Sequence, residues 1–284
     1  MAEKSEIWTI RKVLDWTRGY LAEKGVDNAR LETEWLLSAA LGLDRVGIYV
    51  NFDKPLNQEE LAACRGLVAR RAKREPLQFI LGTQEFCDLD FAVTPAVLIP
   101  RHDTEVIVEE ALRRAPHAAT VLDIGVGSGC IAVALARQLP HAQVWGVERS
   151  PDAIALAQRN VERHGAPVTL FEGSLFEPFG DQRFDLIVSN PPYIPTADLE
   201  TLQPEVREYE PRAALDGGAD GLDFYRIIVP AAPEHLNPDG WLILEVGIGQ
   251  AEAVLGLLTQ AGFGDCFTAK DPNGIDRVVG GRVP

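Results

Sequence analysis

Along the first 80 positions apolar residues recur every three or four places, the spacing of an amphipathic helix. Ile10, Val13, Leu14 and Leu21 fall on one face, with Trp16 and Tyr20 nearby, and Gly25 stops the run. Over 28–41, Leu31, Trp35, Leu36 and Ala39 share a face and Gly42 lies just beyond. A further helix opens at Asn57, a capping residue, and Glu60 three places on completes a capping box. It runs to about Arg74, and Pro76 breaks it. These stripes read as the core of a small helical domain. The basic cluster Arg70, Arg71, Lys73 and Arg74 reads as a complement to the carboxyl end of that last helix.

The period changes over 84–99. Phe86, Leu89, Phe91, Val93, Val97, Leu98 and Ile99 are interrupted by Cys87-Asp88 and Thr94-Pro95, the pattern of a short β-hairpin or extended linker. Beyond it strands and helices alternate. Helices are predicted over 103–114, 128–138, 151–163, 222–235 and 250–261, and strands over 119–124, 142–148, 167–172, 183–189 and 240–246. Such alternation implies an α/β fold, a mostly parallel sheet with helices on both faces. Two final strands, near 264–269 and 275–281, have no helix between them and read as an antiparallel hairpin at the sheet edge.

With 284 residues, 46% hydrophobic and 24% charged, the chain can bury a core in one large or two modest domains. No apolar run reaches the roughly 18 residues of a membrane span, and the amino terminus has no apolar signal segment, so a cytoplasmic protein is expected. Cys64, Cys87, Cys130 and Cys266 are scattered and read as free thiols; no His or Cys pair has metal-ligand spacing, so no metal is expected. Charge is uneven: residues 1–80 carry 13 basic and 12 acidic side chains, the rest 14 and 30. An acidic body of this kind repels a phosphate backbone and argues against nucleic acid as a direct partner.

Two loops carry chemistry. The first follows the strand at 119–124 and reads Asp123-Ile-Gly125-Val126-Gly127-Ser128-Gly129. Its glycines permit a tight turn and close approach of a ligand to the backbone. Glu148 ends the next strand, where a carboxylate can accept two hydrogen bonds from ribose hydroxyls. An adenosine-containing cofactor follows, and the spacing departs from the GxGxxG of nicotinamide enzymes. The second loop, Asn190-Pro191-Pro192-Tyr193, leaves the strand at 183–189. Its prolines stiffen the backbone and free carbonyl oxygens. Asn190 Oδ1 and the Pro191 carbonyl suit the two N–H groups of a planar amino group, and Tyr193 offers it a flat face. Two acceptors favour positive charge developing on nitrogen, so attack needs no ionised base.

The glycine loop resembles that of seven-stranded, Rossmann-like S-adenosylmethionine-dependent methyltransferases, and Asn-Pro-Pro-Tyr is similar to the loop of amino methyltransferases acting on adenine, cytosine or glutamine amides. Further segments narrow this: Leu98-Ile-Pro-Arg-His-Asp-Thr-Glu105, Arg74-Glu-Pro-Leu-Gln-Phe-Ile-Leu-Gly82, Glu210-Pro-Arg-Ala-Ala-Leu-Asp-Gly-Gly-Ala-Asp-Gly-Leu222, Leu244-Glu-Val-Gly-Ile-Gly-Gln250 and Asp271-Pro-Asn-Gly-Ile-Asp-Arg277. In order and over essentially the whole chain they resemble the HemK/PrmC family, protein-(glutamine-N5) methyltransferases of peptide chain release factors.

The resemblance implies transfer of a methyl group from S-adenosylmethionine to the glutamine of the Gly-Gly-Gln motif of class I release factors, which would be the protein's partners. It implies a helical substrate-binding domain over 1–82, a hairpin linker over 83–100 and a methyltransferase domain over 101–284. By position, Asp123, Gly125, Val126, Gly127, Ser128, Gly129 and Glu148 would bind the cofactor, with Leu175 near the adenine. Arg101, Thr104 and Glu105 would sit beside the cofactor. Asn190 would touch cofactor and substrate, and Pro191, Pro192 and Tyr193 would complete the catalytic cradle. His102 and Val126 depart from the commoner Pro and Thr, and neither removes a group the chemistry needs; Leu175 is aliphatic where some members carry an aromatic, so weaker stacking on the adenine is expected. Two alternatives are a methyltransferase of a ribosomal-protein glutamine, against which Asp103-Thr104-Glu105 weighs, and a DNA or RNA amino methyltransferase, against which the acidic half weighs.

Overall fold

The computed structural model describes residues 7–284. Contacts divide it into two compact units: one runs to Gly82 and includes Pro204–Tyr209, and the other takes Thr83–Gln203 and Glu210–Pro284. No helix among the described residues is long and apolar enough to cross a membrane.

The first unit begins with α1 (Ile10–Glu23), α2 (Ala29–Leu41), α3 (Arg45–Val50), α4 (Gln58–Arg71) and α5 (Leu77–Leu81). Asn57 and Glu60 form the expected capping box at the start of α4, with reciprocal bonds of 2.8 and 2.9 Å. The helix ends at Arg71, three residues early, and Arg74 turns into the left-handed region. Helix α2 corrects the predicted face. Leu36 and Leu37 are buried, whereas Leu31 and Trp35 are exposed. The face is set by a buried carboxylate: Glu34 accepts hydrogen bonds from Arg30, Arg45 and Tyr49, so its flank of the helix turns inward. Arg70 and Arg71 lie in the last turn of α4, where they complement its carboxyl end as expected, and three arginines of the basic cluster also form ion pairs. Arg71 pairs with Glu32 and Glu205, Arg74 with Glu205, and Arg70 with Glu75.

The second unit opens with the antiparallel pair β1 (Thr83–Phe86) and β2 (Leu89–Ala92), then α6 (Glu105–Arg114). Next come β3 (Thr120–Ile124), α7 (Cys130–Gln138), β4 (Gln143–Glu148), α8 (Pro151–His164), β5 (Val168–Glu172) and β6 (Phe184–Ser189). The short α9 (Pro204–Tyr209) belongs to the first unit. The chain closes with α10 (Asp223–Ala231), β7 (Leu236–Glu245), α11 (Ala251–Gln260), β8 (Gly264–Lys270) and β9 (Asp276–Arg282). The seven-stranded sheet has the order β5-β4-β3-β6-β7-β9-β8. Its first five strands are parallel, and β9 enters antiparallel between β7 and β8. The terminal hairpin is therefore present, with only β8 at the edge.

Both sheet faces are covered. Val121, Leu186 and Val188 pack with α6, α7 and the ring pair Phe86 and Phe91; Leu122, Ile124 and Ile187 pack with α10 and α11. The strand pair β1/β2 thus packs in the sheet's own core instead of standing apart as a linker. Asn160 of α8, fully buried, holds it there: its side chain bonds both the N–H and C=O of Ala92, at 2.8 and 3.0 Å, and the Ser128 carbonyl at 2.8 Å.

Replacing Asn160 strands three backbone groups, the buried Ser128 carbonyl and the half-buried N–H and C=O of Ala92. Asn160→Ala should lower stability by roughly 2–4 kcal/mol in urea denaturation and speed hydrogen exchange at the Ala92 amide. An unchanged midpoint would show that the side chain bears no such weight.

Candidate active site

Strand order reverses at β3. From it the chain proceeds through β4 and β5 on one side and returns to β6 on the other. Open α/β sheets leave a crevice at the carboxyl ends of strands on either side of such a reversal. Here β3 and β6 pair in parallel, Ile124 beside Ser189, so the next residues are Gly125 and Asn190. The Ser189 hydroxyl donates to the Ile124 carbonyl at 2.7 Å and locks the two ends together. Both chemistry-bearing loops therefore open into one cavity of about 230 Å³.

Gly125, Val126, Gly127, Ser128, Glu148, Leu175, Arg101, Thr104, Asn190, Pro191 and Pro192 all line this cavity. Gly125, Gly127 and Gly129 have φ of +74°, +52° and +85°, which side-chain-bearing residues rarely adopt. A Cβ on Gly125 would meet no protein atom within 4 Å, so the room beside it is room for a ligand. Glu148 is held in place by backbone: Oε1 accepts from the Arg149 and Ser150 amides at 2.9 and 3.0 Å, and Oε2 from Gly127 at 3.2 Å. A glycine cradle with an anchored carboxylate fits the ribose and backbone-wrapping demands of an adenosine-type cofactor.

Other expected residues lie off the wall. Gly129 packs against Ala157. Glu105 accepts from the Cys87 amide at 3.1 Å and bonds His102, so it secures the turn of the β1/β2 hairpin instead of facing the cavity. Asp123 is 1% exposed. Its Oδ2 accepts from the Ala132 amide at 3.1 Å, while Oδ1 is buried without a partner. Burial pushes its carboxyl up to about 7, with Glu148 adding to the effect and the Ala132 N–H opposing it. Tyr193 also stands behind the wall, its hydroxyl donating to Glu245 Oε1 at 3.1 Å.

The Asn-Pro-Pro-Tyr turn is clamped from outside. A Cβ on Gly221 would lie 2.2 Å from the Tyr193 carbonyl oxygen, and one on Gly217 would lie 2.8 Å from that of Pro192. Gln250 donates to the Tyr193 carbonyl at 2.9 Å and accepts from the Gly247 amide at 2.9 Å. Behind Leu98-Ile-Pro-Arg, Glu210 accepts from the Ile99 amide at 3.1 Å and from Arg101. Glu210, Gly217, Gly221, Glu245 and Gln250 had no role assigned from sequence, although all lie in the quoted motifs. For Gly217, Gly221 and Gln250 the signal was a glycine beside an acidic or amide residue; Glu210 and Glu245 carried no such local signal.

Comparison with known proteins agrees with this geometry. Residues 12–82 match the PrmC N-terminal domain and residues 102–203 the Methyltransferase small domain. A release factor glutamine methyltransferase of Geobacter sulfurreducens is 88% identical over 283 residues, covering 100% of each chain. The chain belongs to the release factor glutamine methyltransferase family. The family member of Gloeobacter violaceus is 45% identical, over 93% of this chain and 94% of that one. Among solved structures, a methyltransferase from Pyrococcus furiosus superposes with a TM-score of 0.55 at 20% identity, covering 75% of this chain and 98% of that one. The T. thermophilus 16S rRNA N2 G1207 methyltransferase, in complex with AdoMet and guanosine, gives 0.52 at 19% identity, covering 71% and 50%. These two establish the Rossmann-like methyltransferase fold.

The raised carboxyl of Asp123 has a consequence for stability. Its folded value lies above the unfolded one of about 3.9, so its contribution is full below that value and lost as pH rises through about 7. Asp123→Asn stays neutral throughout. Its Tm relative to the parent chain should climb between about pH 4 and pH 7 and then level off; a difference independent of pH in thermal melts would contradict the assignment.

Proposed function

We propose that this protein transfers a methyl group from S-adenosylmethionine to the side-chain amide nitrogen of the glutamine in the Gly-Gly-Gln motif of class I peptide chain release factors, in the cytoplasm. The observation that carries the reading is the meeting of the glycine loop and the Asn-Pro-Pro-Tyr turn in one cavity, in a chain of this family. Backbone at 125–129 and the Glu148 carboxylate would hold the cofactor, with Leu175 against its base. When bound, S-adenosylmethionine supplies an electrophilic methyl group.

The work left to the protein is orientation. An amide nitrogen is a poor nucleophile because its lone pair is delocalised. Asn190 Oδ1 and the Pro191 carbonyl accept the two N–H bonds of the substrate amide, which aims the nitrogen and favours the positive charge that develops on it. Pro191 and Pro192 hold these acceptors rigid. The proton leaves after the C–N bond has formed, so no ionised base need approach the nitrogen first.

Labelled S-adenosylmethionine should mark an unmodified class I release factor but not its Gly-Gly-Gln glutamine→Ala variant. Label on a ribosomal protein or on duplex DNA in the same panel would replace the reading with one of its rivals. Asn190→Ala should abolish transfer while cofactor binding persists. Glu148→Ala should weaken cofactor binding by about 1.5–3 kcal/mol in calorimetry, the scale of charge-assisted hydrogen bonds.

A further inference from the structure

The segment over residues 93–101 has no helix or strand of its own, yet Leu98, Pro100 and Arg101 at its end line the cavity. A carboxylate from a distant part of the chain fixes that end. Glu210, whose side chain is 1% exposed, accepts from the Ile99 amide at 3.1 Å through Oε2 and from Arg101 Nη2 through Oε1. The reaction just described leaves Glu210 and the Arg101 guanidinium without work. Arg101 is half-buried, and among the described residues no other hydrogen bond engages its guanidinium. That group carries five N–H donors in a planar fork. Whichever hydrogen Nη2 gives to Glu210, its other hydrogen still forms a parallel pair with Nε–H or with Nη1–H. Such a pair matches a carboxylate bidentately.

Glu148 ends β4 and Asn190 follows β6, on opposite sides of β3, so the cavity runs from a ribose end to a transfer end. Arg101 belongs to the transfer end. The Thr104 amide donates to the Arg101 carbonyl at 3.0 Å, and Asn190 Nδ2 donates to Thr104 Oγ1 at 3.2 Å. The cationic side chains among the lining residues are Arg101 and Arg149. Arg149 directly follows Glu148, at the ribose end, and is exposed.

We infer that Arg101 binds the amino-acid carboxylate of S-adenosylmethionine and that Glu210 is the positioning residue that aims it. The inference rests on the cofactor proposed above. Beyond its sulfonium that molecule ends in an amino acid, whose carboxylate needs donors once it leaves water. Arg101 supplies a cation with an open edge at that end of the cavity. A guanidinium already anchored at one corner loses less rotamer freedom on binding than a free one. The Glu210 carboxylate also offsets its charge, which alone would repel the sulfonium.

The test compares two probes by calorimetry on the full chain: S-adenosylmethionine and its decarboxylated form, which keeps the adenine, ribose, sulfonium and amine. The parent should prefer the complete molecule by on the order of tenfold to a hundredfold, the scale of charge-assisted hydrogen bonds. Arg101→Ala should bring the two Kd values within about threefold, by weakening only the probe that has the carboxylate. Arg101→Lys keeps the charge without the fork and should retain part of the preference. Glu210→Gln should cut the preference by at least about fivefold and cost nothing further in the Arg101→Ala background, since it acts through Arg101. A merely structural role would weaken both probes alike. Equal losses of the two probes in Arg101→Ala, an unchanged preference in Glu210→Gln, or a preference that disappears in Arg149→Ala instead, overturns the proposal. Should Glu210→Gln fail to fold, Glu210→Asp, which draws the carboxylate back, should show the same selective loss in smaller measure. A parent chain that binds neither probe is a different failure, since it removes the cofactor itself.

Discussion

The parallel pairing of β3 with β6 is the constraint on which the site depends. These strands are far apart in sequence, and each ends in a loop that can do little alone. Pairing them in register, with the Ser189 hydroxyl on the Ile124 carbonyl, sets Gly125 beside Asn190. Because the chain turns opposite ways from this pair, the crossover helices diverge and leave a crevice that no helix fills. The cavity is thus a product of topology, and the loops decide only what it can bind.

The cavity is backed by polar groups that a design for stability alone would avoid. Asp123 Oδ1, Glu245 Oε2 and Arg277 Nε are buried without hydrogen-bond partners. An unsatisfied buried polar atom costs on the order of 1–3 kcal/mol, and two of these three belong to carboxyls pushed up to about 7. Such exceptions to local consistency concentrate at functional sites, where orientation is worth more than stability. The rest of the second unit is conventional by comparison, with an apolar core on each face of the sheet and Asn160 fully satisfied.

The rigidity of the Asn-Pro-Pro-Tyr turn has two sources. The prolines restrict their own φ. The remaining freedom is removed by contacts from segments distant in sequence: 217–221 and 250 reach the backbone of Pro192 and Tyr193, and Glu245 takes the Tyr193 hydroxyl. Gly217 and Gly221 act by what they lack, since a Cβ at either place would collide with the turn.

The local pattern was enough to read the alternation of strands and helices, the Asn57 capping box, the terminal hairpin and the two loops that carry the chemistry, because each rests on a period, a cap or a turn residue set by near neighbours. The buried face of α2 was misread: Leu31 and Trp35 have the right spacing, but Glu34 draws its flank inward through partners on α2 and α3. Glu105 was placed with the cofactor because it follows Thr104 in the motif, yet in space it serves the hairpin turn. The Tyr193 hydroxyl donates to a carboxylate 52 residues later, a partner that no local pattern reveals. What the sequence by itself determined were the residue types and local geometry of the site. Which acids are buried, which face the cavity and which way an amide points were decided only by tertiary structure, because these depend on desolvation and hydrogen-bond partners that come from other elements.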